Sequence, residues 1–372
     1  MTGKRLKPVR WLAVAALALG MAVSAGNAWA QKPNPLPECF KPWDENTGTI
    51  SYPEREGPYR VALANGFAGN DWRIEMIQSL KAWARRSENA ADIAELKIVS
   101  TGTDVAAQIS AIDNMIAAGF DAIIFIAVNP TAFTGVIKRA KRAGTILVPF
   151  DNILDTDEVV QLNEPQLELE GTKARAVVKH MVRKSGKVLE VRGLPGNSVD
   201  RDRSIGMHLV FDPIEDVEVI TVIGNWDTGT VQKVVADAIA THGHFDGMVL
   251  QHGTVGAINA ILNSGHEIVP IGGDGENGAR KLMAKHNVPG ASVTQAPAMS
   301  AIAMQAAIAL LKGHELPTMI ALPLPYVLSE DLEEGVNYFP DLPDVINLGS
   351  GFPACGPALT AEEVLAETAE DE

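Results

Sequence analysis

From Tyr59 onward, short apolar runs rich in β-branched residues alternate with longer segments of helical period, and few folds accommodate that alternation. The runs cover 60–64, 96–100, 122–127, 145–149, 159–162, 187–191, 217–223, 247–250, 268–271 and 292–295. Between them, helices are expected at 72–86, 105–118, 130–143, 166–183, 231–241, 255–262 and 300–311. In the first of these, Ile74, Ile77, Leu80 and Trp83 share one face. Strands that alternate with helices predict parallel sheets covered on both faces. Ten runs exceed one ordinary doubly wound sheet, so the expectation is an α/β chain of two doubly wound parallel-sheet lobes.

The flanking segments read differently. Lys4, Arg5, Lys7 and Arg10 precede an apolar run at 11–25, and Ala28-Trp29-Ala30 follows with the small-x-small pattern of a signal peptidase site. Residues 1–30 are therefore expected to be a secretory signal peptide cleaved after Ala30, which places the protein in the periplasm; an uncleaved membrane anchor is the alternative. Residues 31–57, rich in Pro, Gly, Glu and Asn, read as an irregular extension, and 341–372 as a C-terminal extension with an acidic tail, solvated or a short helix. The formal charge is −15, and −19 without the four basic residues of the leader (−15 − 4). This disfavours nucleic acid and anionic lipid as partners and favours a soluble monomer. In an oxidising compartment Cys39 and Cys355 most simply form one disulfide; two unrelated thiols are the alternative.

Ligands of parallel α/β sheets bind beyond the carboxyl ends of strands, so the polar residues that follow each run carry the functional signal. Those positions hold 65-NGFAGNDWR-73, 128-VNP-130, 150-FDN-152, 193-GLPGNS-198 with 201-RDR-203, 225-NWD-227, 251-QHG-253, 272-GGDG-275 and Gln295. Planar amides, carboxylates and guanidiniums satisfy hydroxyls that both donate and accept, and indole rings suit the C–H faces of a sugar. No nucleophile-and-base pair is evident, so an enzyme is not expected. His242-x-His244 lacks a third metal ligand, and 272-GGDG-275 lacks phosphate-loop spacing, so no metal or cofactor is expected.

Five of these pieces, 61–73, 124–130, 148–152, 193–206 and 270–275, occur in an order that resembles the ribose- and galactose-type periplasmic binding proteins of ABC importers, over about 59–326. The resemblance implies the type 1 periplasmic binding fold, with a three-strand hinge crossed near 161, 296 and 324. Its lobes would hold 58–161 plus 296–323 and 162–295 plus 324–340. By position it implies solute contacts from Asn70, Trp72, Arg73, Asn129, Asp151, Arg203, Trp226, Asp274 and Gln295, with Arg203 placed by Arg-x-x-Gly with Gly206. Asn152 stands where the ribose type has arginine, Arg73 where it has a second aromatic, and His252 lies in a Gln-His-Gly that replaces an Asn-Asp pair. These departures argue against ribose itself.

Each candidate also has a structural reading. Asp151 and Asp274 could cap the following segments, Trp72 and Trp226 could be core residues, Asn129 could open a helix with Pro130, and His252 could be structural. Arg73 and Arg203 balance Asp151 and Asp274, so the expected solute is a neutral monosaccharide or polyol passed to an ABC permease. A chemoreceptor or sensor kinase is a compatible further partner. A sugar-modifying enzyme and the sensing module of a transcription repressor are the other classes this fold admits.

Overall fold

The computed structural model describes residues 2–3, 32–348, 352–356 and 358–371. The expected leader with its cleavage after Ala30 lies outside the described residues, apart from Thr2 and Gly3.

A short strand, β1 (Thr49–Ile50), precedes the first sheet, whose elements are β2 (Tyr59–Asn65), α1 (Asp71–Arg85), the single turn α2 (Ser87–Ala90), β3 (Ile93–Ser100), α3 (Val105–Ala117), β4 (Ala122–Phe125), α4 (Thr134–Ala143) and β5 (Ile146–Pro149). The strands pair in parallel in the order β3-β2-β4-β5. Because successive side chains point to opposite faces, Val61, Leu63, Ile124 and Val148 enter one core, while Ala62, Ala64, Ile123, Phe125 and Leu147 enter another.

The chain continues with β6 (Gln161–Asn163), α5 (Gln166–His180), β7 (Gly186–Arg192), α6 (Ser198–Phe211), β8 (Val217–Ile223), α7 (Thr228–His242), β9 (Gly247–Leu250), α8 (Thr254–Ser264), β10 (Ile271–Gly273), α9 (Asn277–His286) and β11 (Gly290–Val293). After α10 (Met299–Leu311) come β12 (Leu316–Pro317), β13 (Met319–Ala321), β14 (Tyr326–Leu328) and α11 (Ala361–Leu365). The second sheet has the order β14-β11-β10-β9-β7-β8, with β14 antiparallel to β11 and the rest parallel. β6 and β13 pair with each other, outside both sheets. Helix α10 returns to the first half, where Ala303, Met304 and Ala307 join the core of Ile124 and Val148. The chain thus passes between the halves after β6, after β11 and after β13. This is the expected α/β architecture of two doubly wound parallel-sheet lobes joined by three crossings.

Besides the single turn α2, helices α6 and α9 were not expected from periodicity. Helix α6 buries Ser198, Asp200, Arg203, Ser204 and Gly206 together with Val199, Met207 and Phe211, while Ile205 and Leu209 face solvent, so polar and apolar residues share its inward face. Helix α9 likewise turns Asn277, Gly278 and Arg280 inward. The helix expected at 130–143 starts only at Thr134, because Asn129 Oδ1 closes a turn by accepting the N–H and hydroxyl of Thr131 at 2.9 and 3.1 Å.

Both extensions are docked, and the acidic tail takes the short-helix form of the two expected for it. Strand β1 pairs antiparallel with β12, and Phe40 is fully buried. Cys39 and Cys355 form the expected disulfide, with Cα atoms 4.8 Å apart. The acidic tail forms α11, opened by a Thr360–Glu363 capping box, and it lies on α1. There Lys81 Nζ donates to the Glu370 carbonyl at 2.8 Å, and Arg86 pairs with Glu363 at 2.8 Å.

Gly206 lets α6 lie directly on α5, where an added Cβ would overlap the backbone carbonyl of Leu167. Gly206→Ala is expected to lower stability by roughly 1–3 kcal/mol, read as a lower urea midpoint. An unchanged midpoint would contradict this close approach.

Candidate functional site

The residues that follow the strands of both sheets meet in one cleft, with about 470 Å³ of free space counting its mouth. On the first wall, Asn70 caps α1 by accepting the N–H of Arg73 at 2.9 Å. The capped turn directs Trp72 and Arg73 inward, and Arg73 is only 5% exposed. Its Nη1 donates to Asn65 Oδ1 at 3.0 Å, its Nη2 lies 3.3 Å from Asp151 Oδ2, and its guanidinium sits 5.4 Å from the Trp72 ring centre. Asp151 follows β5 with φ +60°, in the left-handed region that ordinary residues avoid.

On the second wall, Arg203 projects from α6 and is buried. Its Nε donates to Gln166 Oε1 at 2.7 Å and its Nη1 to the Gln251 carbonyl at 2.8 Å. Trp226 follows β8, again at positive φ (+56°), as does its neighbour Asn225 (+56°). Its indole lies against Gly193, where any Cβ would collide with the ring, and its Nε1–H donates to Gln251 Oε1 at 3.1 Å. The Trp72 Nε1–H donates to the Gln295 carbonyl at 2.9 Å. Both indole nitrogens are therefore engaged by protein, which leaves ring surface rather than donors for a bound molecule.

The walls join through Gln295, in the crossing after β11. Its Oε1 accepts from Arg203 Nη2, and its Nε2 donates to Asp151 Oδ1. Asn70 adds a second bridge, from its Nδ2 to the Trp226 carbonyl at 3.1 Å. His252 lies 3.7 Å from Asp274 Oδ2 and 3.4 Å from Glu276 Oε1. Asp274 also accepts the N–H of Thr254 at 3.0 Å and of Glu276 at 3.3 Å, so it caps α8 while it lines the cleft.

Burial governs the protonation states. It pushes Asp151 above the usual carboxylate range, against the pull of Arg73 and Arg203. Burial pushes Asp274 the same way, but His252 and the amides of Thr254 and Glu276 outweigh it and leave the group lowered. His252 is lowered by burial, with Asp274 opposing. Glu164, beside the crossings, is raised to about 8 by burial, although the Ala296 N–H donates to its Oε1 at 3.1 Å.

The structure brings Asn70, Trp72, Arg73, Asp151, Arg203, Trp226, His252, Asp274 and Gln295 to the cleft. Two expected contacts lie elsewhere. Asn129 is held in its turn with Thr131 and does not line the cleft. Asn152 is buried behind Asp151, where its Nδ2 donates to Asp151 Oδ2 at 3.0 Å and its Oδ1 accepts the Val199 N–H at 3.4 Å. It braces the carboxylate instead of facing the void. Sequence reasoning did not single out Lys173, Val199, Gln251, Val293 and Asn347, which also line the cleft. Gln251 and Val199 stood in segments beyond strands and had a signal. Lys173 did not, because a lysine inside a helix reads as solvated, yet it is 1% exposed and donates to the Leu250 carbonyl at 2.7 Å beside Glu170.

Two parallel-sheet halves joined by three crossings around a polar cleft define the two-lobed class of solute-binding proteins. The periplasmic binding protein domain model matches residues 61–315, and the chain belongs to that family. It is 26% identical to the ribose import binding protein of Bacillus subtilis over 235 residues, 61% of this chain and 75% of the relative. It is 24% identical to the xylitol-binding protein of Mycolicibacterium smegmatis, over 66% of this chain and 71% of the relative. An ABC transporter solute-binding protein from Thermobispora bispora superposes with a TM-score of 0.67 at 25% identity, over 72% of this chain and 84% of that one.

The state of Glu164 has a measurable consequence. Its folded pKa of about 8 exceeds the ordinary 4.5, so between those values the folded chain holds a proton that the unfolded chain has lost. Wild-type stability therefore falls as pH rises through that window, by at most about 1.4 kcal/mol per pH unit from this group. Glu164→Gln removes that loss, so its urea midpoint relative to wild type rises from pH 5 to pH 8. A constant difference between the two curves would refute the buried protonated state.

Proposed function

We propose that this chain is a periplasmic solute-binding protein, exported by a leader cleaved after Ala30, that captures a neutral monosaccharide or polyol by cleft closure and delivers it to an ABC permease. The observation that carries this reading is the relay Arg73–Asp151–Gln295–Arg203, which runs across the cleft beside two indoles. Its groups are the donors and acceptors that paired ring hydroxyls require. The family, and the ribose and xylitol for which two relatives are named, point the same way.

In this reading 58–161 with 296–323 forms one lobe and 162–295 with 324–340 the other. Asn70, Trp72, Arg73 and Asp151 grip the solute from the first wall, and Arg203, Trp226, His252 and Asp274 from the second, with Gln295 at the hinge. A solute contacts both walls only when the lobes are shut, so binding shifts the population toward the closed form that the permease recognises. The cleft offers amides, carboxylates, guanidiniums and indole surface without an evident nucleophile and base, which supports capture rather than chemistry. The protein acts as a monomer.

A thermal-shift screen of pentoses, hexoses, polyols, amino acids and organic acids is expected to show stabilisation by neutral polyhydroxy compounds. Stabilisation by amino acids or organic acids alone would overturn the assignment. For a stabilising sugar, Asp151→Ala and Arg203→Ala are each expected to weaken binding by about 2–5 kcal/mol, since each leaves a buried charged partner unpaired. Titration calorimetry measures this, and unchanged affinity in both variants would remove the site.

A further inference from the structure

The second wall is held together from behind by Gln251, the residue that follows β9. It is 2% exposed, and its bonds reach three other segments. Its Oε1 accepts from two donors, the Gly193 N–H beyond β7 and the Trp226 Nε1–H beyond β8, both at 3.1 Å. Its Nε2 donates to the Asp200 carbonyl in α6 at 3.1 Å. Its backbone N–H donates to the Val191 carbonyl at 3.0 Å, and its own carbonyl accepts from Arg203 Nη1 at 2.8 Å. The end of β9 is thus joined both to the indole of Trp226 and to the guanidinium of Arg203.

Trp226 needs such a hold. It and Asn225 are consecutive residues at positive φ, a backbone that persists only where the surroundings over-determine it. Its ring rests on Gly193, whose N–H is the second donor to the same Gln251 oxygen. Its carbonyl is bonded across the cleft by Asn70, a contact that parting walls break, whereas the Gln251 bond lies wholly within the second half.

We propose that Gln251 is a positioning residue, which keeps the Trp226 ring in place before a solute arrives and acts on the solute through that ring rather than by contact. Both lone pairs of its Oε1 are committed to protein donors. Its bond to Asp200 ties the same side chain to α6, from which Arg203 projects. A ring held in the solute-free protein loses less freedom on binding. That the ring then faces a sugar rests on the solute-binding reading; that Gln251 holds the ring does not.

Two measurements on the full chain test this with Gln251→Met, which keeps the length of the side chain and removes its polar atoms. In the solute-free protein, the ¹⁵N–¹H resonance of the Trp226 indole, identified by its loss in Trp226→Phe, is expected to move upfield in Gln251→Met. Titration with D-ribose, D-allose, xylitol and myo-inositol is expected to show about threefold to tenfold weaker binding to Gln251→Met for whichever of them wild type binds, the cost of ordering one released side chain. In a Trp226→Phe background the same substitution is expected to change affinity less than twofold, since its route to the solute is already cut. If Gln251→Met does not fold, Gln251→Asn, one methylene shorter, takes its place. An unmoved indole resonance or unchanged affinity would overturn the proposal. So would a loss that persists undiminished in the Trp226→Phe background, the mark of direct contact through the second Nε2 hydrogen. If wild type bound none of the four, the sugar reading would fall, and the indole resonance alone would decide whether Gln251 holds the ring.

Discussion

Asp151 is a buried carboxylate held between two guanidiniums, one from its own wall and one reached through Gln295 from the other. A buried charge is tolerated only when paired and hydrogen-bonded, so this relay constrains everything around it. Arg73 must leave the capped first turn of α1, Arg203 must come from a helix that turns polar residues inward, and Gln295 must sit where the chain crosses between halves. The parallel sheets serve this arrangement by delivering their strand ends to one place.

Backbone strain gathers at the same place. Asp151, Asn225 and Trp226 all adopt positive φ, a conformation that costs on the order of 1–3 kcal/mol for a residue with a side chain. Asp151 and Trp226 line the cleft, and the surrounding packing enforces their geometry: Asn152 braces the carboxylate, and Gly193 makes room for the indole. A carboxylate and an aromatic face set rigidly before a solute arrives lose less freedom on binding.

Much of this was legible in the sequence, because strands announce themselves by their apolar runs and the residues beyond them are the ones exposed at the sheet ends. Asp151, Trp226, His252 and Asp274 were found that way. The same rule misled at Asn129, where the chain turns on Thr131, and at Asn152, whose neighbour takes the exposed position. It was blind to Lys173, inside α5, and to Asn347, which belongs to a segment with no period at all. Helix α6 escaped notice because its inward face mixes polar residues such as Asp200 and Arg203 with apolar Met207 and Phe211 while Ile205 and Leu209 face out, which blurs its period. The Cys39–Cys355 bond was expected despite its span of 316 residues, but the other long-range contacts of the extensions were hidden, such as those of the acidic tail with Lys81 and Arg86.

The central claim is that a relay of opposed charges and amides under two indoles holds a neutral polyhydroxy compound. Mass spectrometry of small molecules released on denaturing the protein purified under native conditions tests it most directly. The account predicts one equivalent of a pentose, hexose or polyol without ionisable groups. Release of an amino acid or a carboxylic acid in that amount would contradict it.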